Sequence, residues 1–72
     1  MMLTNVDVAE LFAQLQAAYG HQWAHKADAM PVWAKMLGGY SRSDVLAAVP
    51  KVVKAYKDFP PNAGQFADMV DY

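Results

Sequence analysis

Two histidines and an aspartate form the pattern in this chain that comes nearest to a metal site. His21 and His25 are four residues apart, and Asp28 follows three residues later. On a helix, this spacing could place two imidazoles and a carboxylate where they bind zinc. The segment, however, lies between Gly20, which is predicted to end one helix, and the start of the next helix, where Asp28 suits an N-cap. We therefore expect solvated or hydrogen-bonded histidines, with no metal and no other cofactor.

The other polar residues do not form a catalytic pattern. Acid–base catalysis needs paired carboxylates, or one carboxylate with a perturbed neighbour, in a cleft. Asp7 and Glu10 instead lie at the exposed start of a predicted helix, and no nucleophile motif surrounds Ser41. Gly38 and Gly39 lack the rest of a phosphate-binding loop. A chain this small also has little room for a ligand pocket, so we expect it not to be an enzyme.

The composition favours one small folded domain spanning residues 1–72. Hydrophobic residues make up 56% of the chain, and the absence of cysteine leaves an apolar core or a partner as the source of stability. No run of about 18 apolar residues is present to span a membrane. The N-terminus lacks the basic start and apolar region of a signal peptide, so we expect a cytoplasmic protein.

Aromatic and basic residues are the candidates for binding a partner. Trp23 lies between the two histidines, and it either covers the core, which we favour, or is an exposed anchor. Arg42, Lys51 and Lys54, with Lys57 beside them, place most of the basic residues on or near one predicted helix. We predict partner binding by Trp23, Arg42, Lys51 and Lys54. The net charge of −1 argues against strong binding to nucleic acid, which we keep as a less favoured alternative.

Apolar residues at three- and four-residue steps predict an all-α fold, a compact bundle of four helices. Thr4 or Asn5 is expected to cap the first helix, and Gly20 to end it as a left-handed C-cap. Asp28 is expected to cap the second helix, with Pro31 tolerated in its first turn. The predicted helices span about residues 5–19, 28–38, 42–57 and 63–70.

The third helix contains a proline that allows two interpretations. Pro50 removes one backbone hydrogen bond and costs about 3 kcal/mol in an isolated helix. The helix therefore either kinks at Pro50 or breaks into two shorter helices. We favour one kinked helix, because the apolar residues keep the same phase from Val45 to Tyr56.

Capping residues mark the boundaries of the last two helices. Ser41 with Asp44 three residues later resembles a capping box at the start of helix 3. Pro60 and Pro61 stop that helix. Asn62 and Gln65 form a second predicted capping box, which begins helix 4.

The order of these signals resembles a known family. A helix ending in Tyr19-Gly20 precedes a helix with a central Trp33, and a capped helix ending at Tyr56 precedes the sequence Phe59-Pro60-Pro61-Asn62 and a short last helix. This layout is similar to the N-terminal domain of the phage replicative-helicase loader/inhibitor family. The resemblance covers about residues 8–70. It implies a compact helical domain with protein-binding and assembly roles in phage or prophage DNA replication.

The resemblance also implies a partner and a question about how it is bound. In that family, a separate flexible C-terminal segment contacts the hexameric helicase, whereas this sequence runs only to Tyr72. The chain is therefore either the folded domain alone or a small protein with another partner. We expect a helicase loader/inhibitor-like module that binds the replicative helicase or another host replication protein. The alternative is a phage inhibitor of host defence or transcription that acts by covering a surface.

Overall fold

The computed structural model describes residues 3–23 and 27–71, and the all-α prediction is confirmed for them. Within these residues there are four α-helices and no strand. The helix α1 packs against α2 and α3, and α4 packs against α2 and α3 in turn. Two 3₁₀ turns, Gly20–Gln22 and Ala27–Ala29, lie between α1 and α2. The helices are α1 (Asn5–Tyr19), α2 (Met30–Met36), α3 (Arg42–Ala55) and α4 (Ala63–Asp71).

The helix α1 has the predicted bounds because both of its ends are fixed by local chemistry. Thr4 is the N-cap: its hydroxyl accepts a hydrogen bond from the Asp7 amide at 3.2 Å, and its own amide donates to the Asp7 carboxylate at 3.1 Å. This reciprocal pair satisfies two amides that the helix cannot pair internally. At the other end, Gly20 is the C-cap with the expected positive φ of 64°, which a residue with a β-carbon rarely adopts, but its ψ of −133° differs from that of a left-handed helical cap.

The start of α2 differs from the prediction. Asp28 was expected to be the N-cap, but it lies in the 3₁₀ turn, and α2 begins at Met30 with Ala29 as its N-cap. The reason is that Ala29 already has helical backbone angles, with φ −80° and ψ −17°. The chain therefore enters α2 through a continuous tight turn, without an extended capping residue. Pro31 lies in the first turn as predicted, but α2 ends at Met36, so it is shorter than the predicted 28–38.

The helix α3 continues through Pro50 as one element, so the two-helix alternative is wrong. Buried side chains on both sides of Pro50, including Val45 and Val52, keep one face of the helix in the core. The helix ends at Ala55 and not at Lys57, because Tyr56 leaves helical geometry with φ −115° and ψ 68°.

The helix α4 begins at Ala63, as the predicted capping box of Asn62 and Gln65 requires. The Gln65 amide donates to the Asn62 side-chain oxygen at 2.8 Å, and the Asn62 amide donates to the Gln65 side-chain oxygen at 3.0 Å. Pro61, just before this box, is fully buried. The helix ends at Asp71, one residue beyond the prediction.

Large aromatic rings form the centre of the core. The ring centroid of Phe12 lies 5.3 Å from Trp23 and 5.3 Å from Trp33, both in edge-to-face geometry, and Trp33 lies 5.6 Å from Phe66. Such edge contacts add to the stabilisation from burial alone. Ala18 and Met36 are exposed, although each follows a buried residue by a three-residue step along its helix. The buried residues are Val8, Leu11, Phe12, Leu15, Tyr19, Trp23, Trp33, Leu37, Val45, Ala48, Val49, Val52, Ala63 and Phe66.

A tyrosine hydroxyl connects the segment before α3 to the end of α4. The Tyr40 hydroxyl donates to the Asp71 carboxylate at 2.6 Å. This hydrogen bond, burial of the phenol and the negative charges of Asp71 and Asp68 raise the pKa of Tyr40 above its ordinary value.

We expect the domain to lose stability in alkaline solution because of this hydrogen bond. The raised pKa means that the folded state holds the phenol proton more tightly than the unfolded state. The contribution of Tyr40 is therefore fully present below about pH 10 and is lost as pH rises through its folded pKa. Denaturant unfolding between pH 8 and 11.5 should give a smaller fall in stability for Tyr40→Phe than for the unaltered chain. Equal falls would contradict this assignment.

Candidate partner-binding surface

The tryptophan predicted to bind a partner is part of the core. Trp23 is 8% exposed, and its ring stacks on Tyr19 with 6.3 Å between centroids and 20° between planes. Its edge contacts with Phe12 and Trp33 hold it from other sides. The structure thus supports the alternative in which Trp23 covers the core, and the exposed-anchor alternative is wrong.

Arg42 forms ion pairs within the domain. Its Nε donates to Glu10 at 3.1 Å, its Nη2 also donates to Glu10, and Nε lies 3.5 Å from an Asp7 oxygen. The hydrogen bond to Glu10 and the charge of Glu10 raise the pKa of the Arg42 guanidinium; burial opposes this increase, and the charge of Asp7 adds a smaller one. Arg42 therefore connects the start of α3 to α1, and two carboxylates offset its charge.

We expect Arg42→Gln to reduce stability at low ionic strength and to have less effect at high salt. The side chain is 52% exposed, so water and ions screen its attraction to Glu10 and Asp7. Thermal unfolding in 20 mM and 1 M NaCl measures the difference directly. The matched control is Lys54→Gln on the same helix, because Lys54 forms no ion pair with the described residues. An Arg42→Gln effect that does not change with salt would argue against an electrostatic role.

The structure does not bring Arg42 together with Lys51 and Lys54. Each residue advances about 100° around an α-helix and about 1.5 Å along it. Lys51, nine residues from Arg42, is therefore on roughly the opposite side of α3, and Lys54 is about 18 Å from Arg42 along the axis. Lys51 and Lys54 are only about 60° apart. Partner binding by these two lysines stays a prediction, on a surface that does not include Arg42.

Lys54 lies in the most exposed row of α3. This row lies on the side of α3 opposite its buried face. All of its residues are exposed: Ser43, Ala47, Pro50 and Lys54. Lys51 is half-buried beside the row, and Lys57 is exposed just beyond the end of the helix. The lysines are therefore concentrated toward the C-terminal end of α3.

Phe59 is an exposed aromatic residue that the sequence did not mark as a binding residue. It is 76% exposed, although it lies between two segments that are held against the core. The sequence contained a signal for this, since Phe59 comes after the apolar repeat of α3 has ended and immediately before Pro60.

The described residues contain no pocket and no site for a metal ion. Within residues 3–23 and 27–71, no cavity is found and no group of three His, Cys, Asp or Glu side chains is arranged to hold a cation. His21 is exposed, and His25 lies outside the described residues, so the histidine pattern is only partly visible. No helix among these residues is long and apolar enough to cross a membrane.

Comparison with known families decides the class of the domain. A family model described as "G39P, N-terminal domain" matches residues 3–67 (G39P is the name of a protein here, not a substitution). The chain belongs to this family. It comprises N-terminal domains of phage helicase loader/inhibitor proteins, so the resemblance found in the sequence is confirmed. Comparisons with curated proteins and with solved structures find no match.

The residues that carried the resemblance mostly stabilise the G39P N-terminal domain. Trp33 lies in the aromatic core, and the Tyr56 carbonyl oxygen accepts a hydrogen bond from the Tyr19 hydroxyl at 2.8 Å. Pro60 is half-buried. Phe59 is the exception, because its side chain contributes little to the core.

Proposed function

We propose that this chain is a non-enzymatic module of phage DNA replication that binds the hexameric replicative helicase, as a loader or inhibitor of that enzyme. The observation that carries the proposal is the family match over residues 3–67, which includes α1, α2, α3 and the first half of α4. Because the match covers nearly the whole described domain, the proposal concerns the folded domain.

The roles of the polar side chains support binding and not catalysis. Thr4 and Asn62 cap helices, and Arg42 connects two helices. These groups are used for folding, and no pocket among the described residues brings others together around a substrate. We therefore expect the domain to act by binding a partner with its outer surface.

Binding to the purified helicase tests the proposal. The unaltered chain should bind the hexamer saturably in isothermal titration calorimetry, and it should change the rate of ATP hydrolysis by the helicase. The control is Phe66→Ala, which removes a side chain from the core and should abolish binding along with the fold. The proposal fails if the chain, shown by circular dichroism to be folded, neither binds the helicase nor changes its ATPase rate.

Two other outcomes would redirect the proposal. Binding to DNA at about 50 mM salt, with a steep loss of affinity as salt rises, would favour a nucleic-acid-binding role for the lysines of α3. Specific binding to a host defence or transcription protein, without binding to the helicase, would favour an inhibitor that covers a surface of that protein.

A further inference from the structure

The last turn of α4, residues 68–71, carries charges that oppose its helical form. Asp68 and Asp71 are both exposed, and this turn contains no basic residue. The C-terminal end of a helix has a partial negative charge, which repels nearby carboxylates. The carbonyl groups at such an end also lack amide partners within the helix. The turn is therefore less stable by itself than the start of α4, where a capping box satisfies the end amides.

One side chain from outside α4 holds this turn. The Tyr40 hydroxyl donates to the Asp71 carboxylate at 2.6 Å and lies 3.5 Å from the Ala67 carbonyl oxygen. In an α-helix that carbonyl also accepts the Asp71 amide, so Tyr40 contacts both residues joined by this backbone hydrogen bond. Within residues 3–23 and 27–71, no other side chain outside the helix forms a hydrogen bond or an ion pair with residues 68–71.

Tyr40 is itself held in place by the rest of the bundle. Its amide donates to the Leu37 carbonyl at 3.0 Å, and its side chain packs against the core cluster. Ser41, the next residue, caps α3 by accepting a hydrogen bond from the Asp44 amide at 3.2 Å. The hydroxyl of Tyr40 therefore reaches α4 from a fixed position between α2 and α3.

The last turn also covers part of the apolar core. Met69 and Val70 are half-buried and pack against the core cluster. Unwinding of the turn would expose both side chains to solvent. The family match ends at residue 67, so this turn follows directly after the part of the chain that the family model matches.

We propose that Tyr40 is a latch on the last turn of α4, and that this turn opens as a unit while the rest of the domain stays folded. The hydrogen bond from Tyr40 to Asp71 joins a hydroxyl to a carboxylate, and bonds of this kind are among the stronger ones in proteins. When it breaks, the repulsion between the helix end and its two carboxylates remains and favours unwinding. Helix ends commonly open at a lower free energy than the whole domain does.

The latch controls access to an apolar surface, because Met69 and Val70 are exposed only when the turn is open. A ligand of the open form would bind with an apparent affinity proportional to the fraction of open molecules. The inference concerns a motion of the domain, so it holds whether or not the helicase is the partner.

Amide hydrogen exchange of the full chain, measured for each residue by NMR at several urea concentrations below the unfolding transition, tests the latch. In the unaltered chain, exchange of residues 68–71 should depend little on urea, because a local opening exposes little surface. Exchange of the fully buried Leu11 in α1 should depend steeply on urea. Tyr40→Phe removes only the hydroxyl, and it should make residues 68–71 exchange about tenfold faster, as expected for the loss of one hydrogen bond.

Tyr19→Phe is the matched control for the latch. It removes a hydroxyl that donates to the Tyr56 carbonyl, a contact that stays intact when the last turn of α4 opens. This variant should therefore speed the exchange of Leu11 and leave that of residues 68–71 unchanged. The latch is wrong if Tyr40→Phe does not change the exchange of residues 68–71. The independent opening is wrong if these residues share the urea dependence of Leu11.

A second variant tests the role of the charges. Asp68→Lys places a positive charge at the negative end of the helix, at an exposed position that forms no hydrogen bond to Tyr40. After correction for the intrinsic rate of each sequence, residues 69–71 should exchange about threefold more slowly. Equal or faster exchange would show that the carboxylates do not favour opening of the turn, which would overturn that part of the inference.

Discussion

Replacing Phe66 with alanine is expected to remove most of the stability of the domain. Phe66 is fully buried in α4, and its ring packs against Trp33 with 5.6 Å between centroids. Truncating a buried phenylalanine costs about 3–5 kcal/mol, since transfer energy is lost and a cavity remains. A domain of this length has a total stability of roughly 4–11 kcal/mol, so the variant should be close to unfolding at 37 °C.

Urea unfolding followed by tryptophan fluorescence measures this effect, because Trp33 lies against the substituted side chain. The matched control is Phe59→Ala, the same substitution at an exposed position, which should change the free energy of unfolding by less than about 0.5 kcal/mol. Equal destabilisation by the two substitutions would contradict the burial that the structure assigns to them.

The sequence predicted the elements whose boundaries are set by local chemistry. The helix α1 has its predicted bounds, and α4 begins as predicted, because Thr4, Gly20 and the Asn62–Gln65 pair act on backbone groups within a few residues. The predicted start of α2 was wrong, because it depends on the path of the backbone before the helix. Asp28 is a suitable N-cap by type, but a cap requires an extended backbone, and the preceding 3₁₀ turn leaves Ala29 helical. The residue type alone does not reveal the path of the chain into a helix.

The candidate surface was less predictable, because it depends on contacts between distant parts of the chain. From the sequence, Arg42 is a candidate for binding a partner. Its ion-pair partners Glu10 and Asp7 are more than thirty residues away along the chain, so the sequence does not reveal these contacts. Trp23 has no helical periodicity to show which way it points, and only the positions of Phe12 and Trp33 place it in the core. The exposure of Lys54 is predictable from the sequence, since its position on α3 follows from helical geometry.

Replacing Pro50 with alanine is expected to stabilise the domain by about 2 kcal/mol. Proline is about 3 kcal/mol less favourable than alanine inside a helix, because it lacks an amide proton and its ring crowds the carbonyl four residues earlier. In α3 that carbonyl belongs to Leu46. Alanine would restore the hydrogen bond, while greater freedom of the unfolded chain would offset about 0.4–1 kcal/mol of the gain.

The surroundings of Pro50 allow the substitution to stabilise the domain. Its side chain is exposed, so alanine leaves no cavity, and buried residues on both sides already hold α3 as one helix. Thermal unfolding should show a rise in Tm of about 10 °C. Lys54→Ala is the control in the same exposed row, because it changes helix propensity little and affects no backbone hydrogen bond.

A Pro50→Ala variant that is no more stable than the unaltered chain would show that the core requires the local geometry imposed by proline. A variant that is more stable but binds the helicase less tightly would have a different meaning. Pro50 lies in the same exposed row as Lys54, so the proline would then act by shaping that exposed row of α3 for binding. The stability lost at Pro50 would in that case be the cost of a functional surface, and measuring stability and binding on the same variant separates the two explanations.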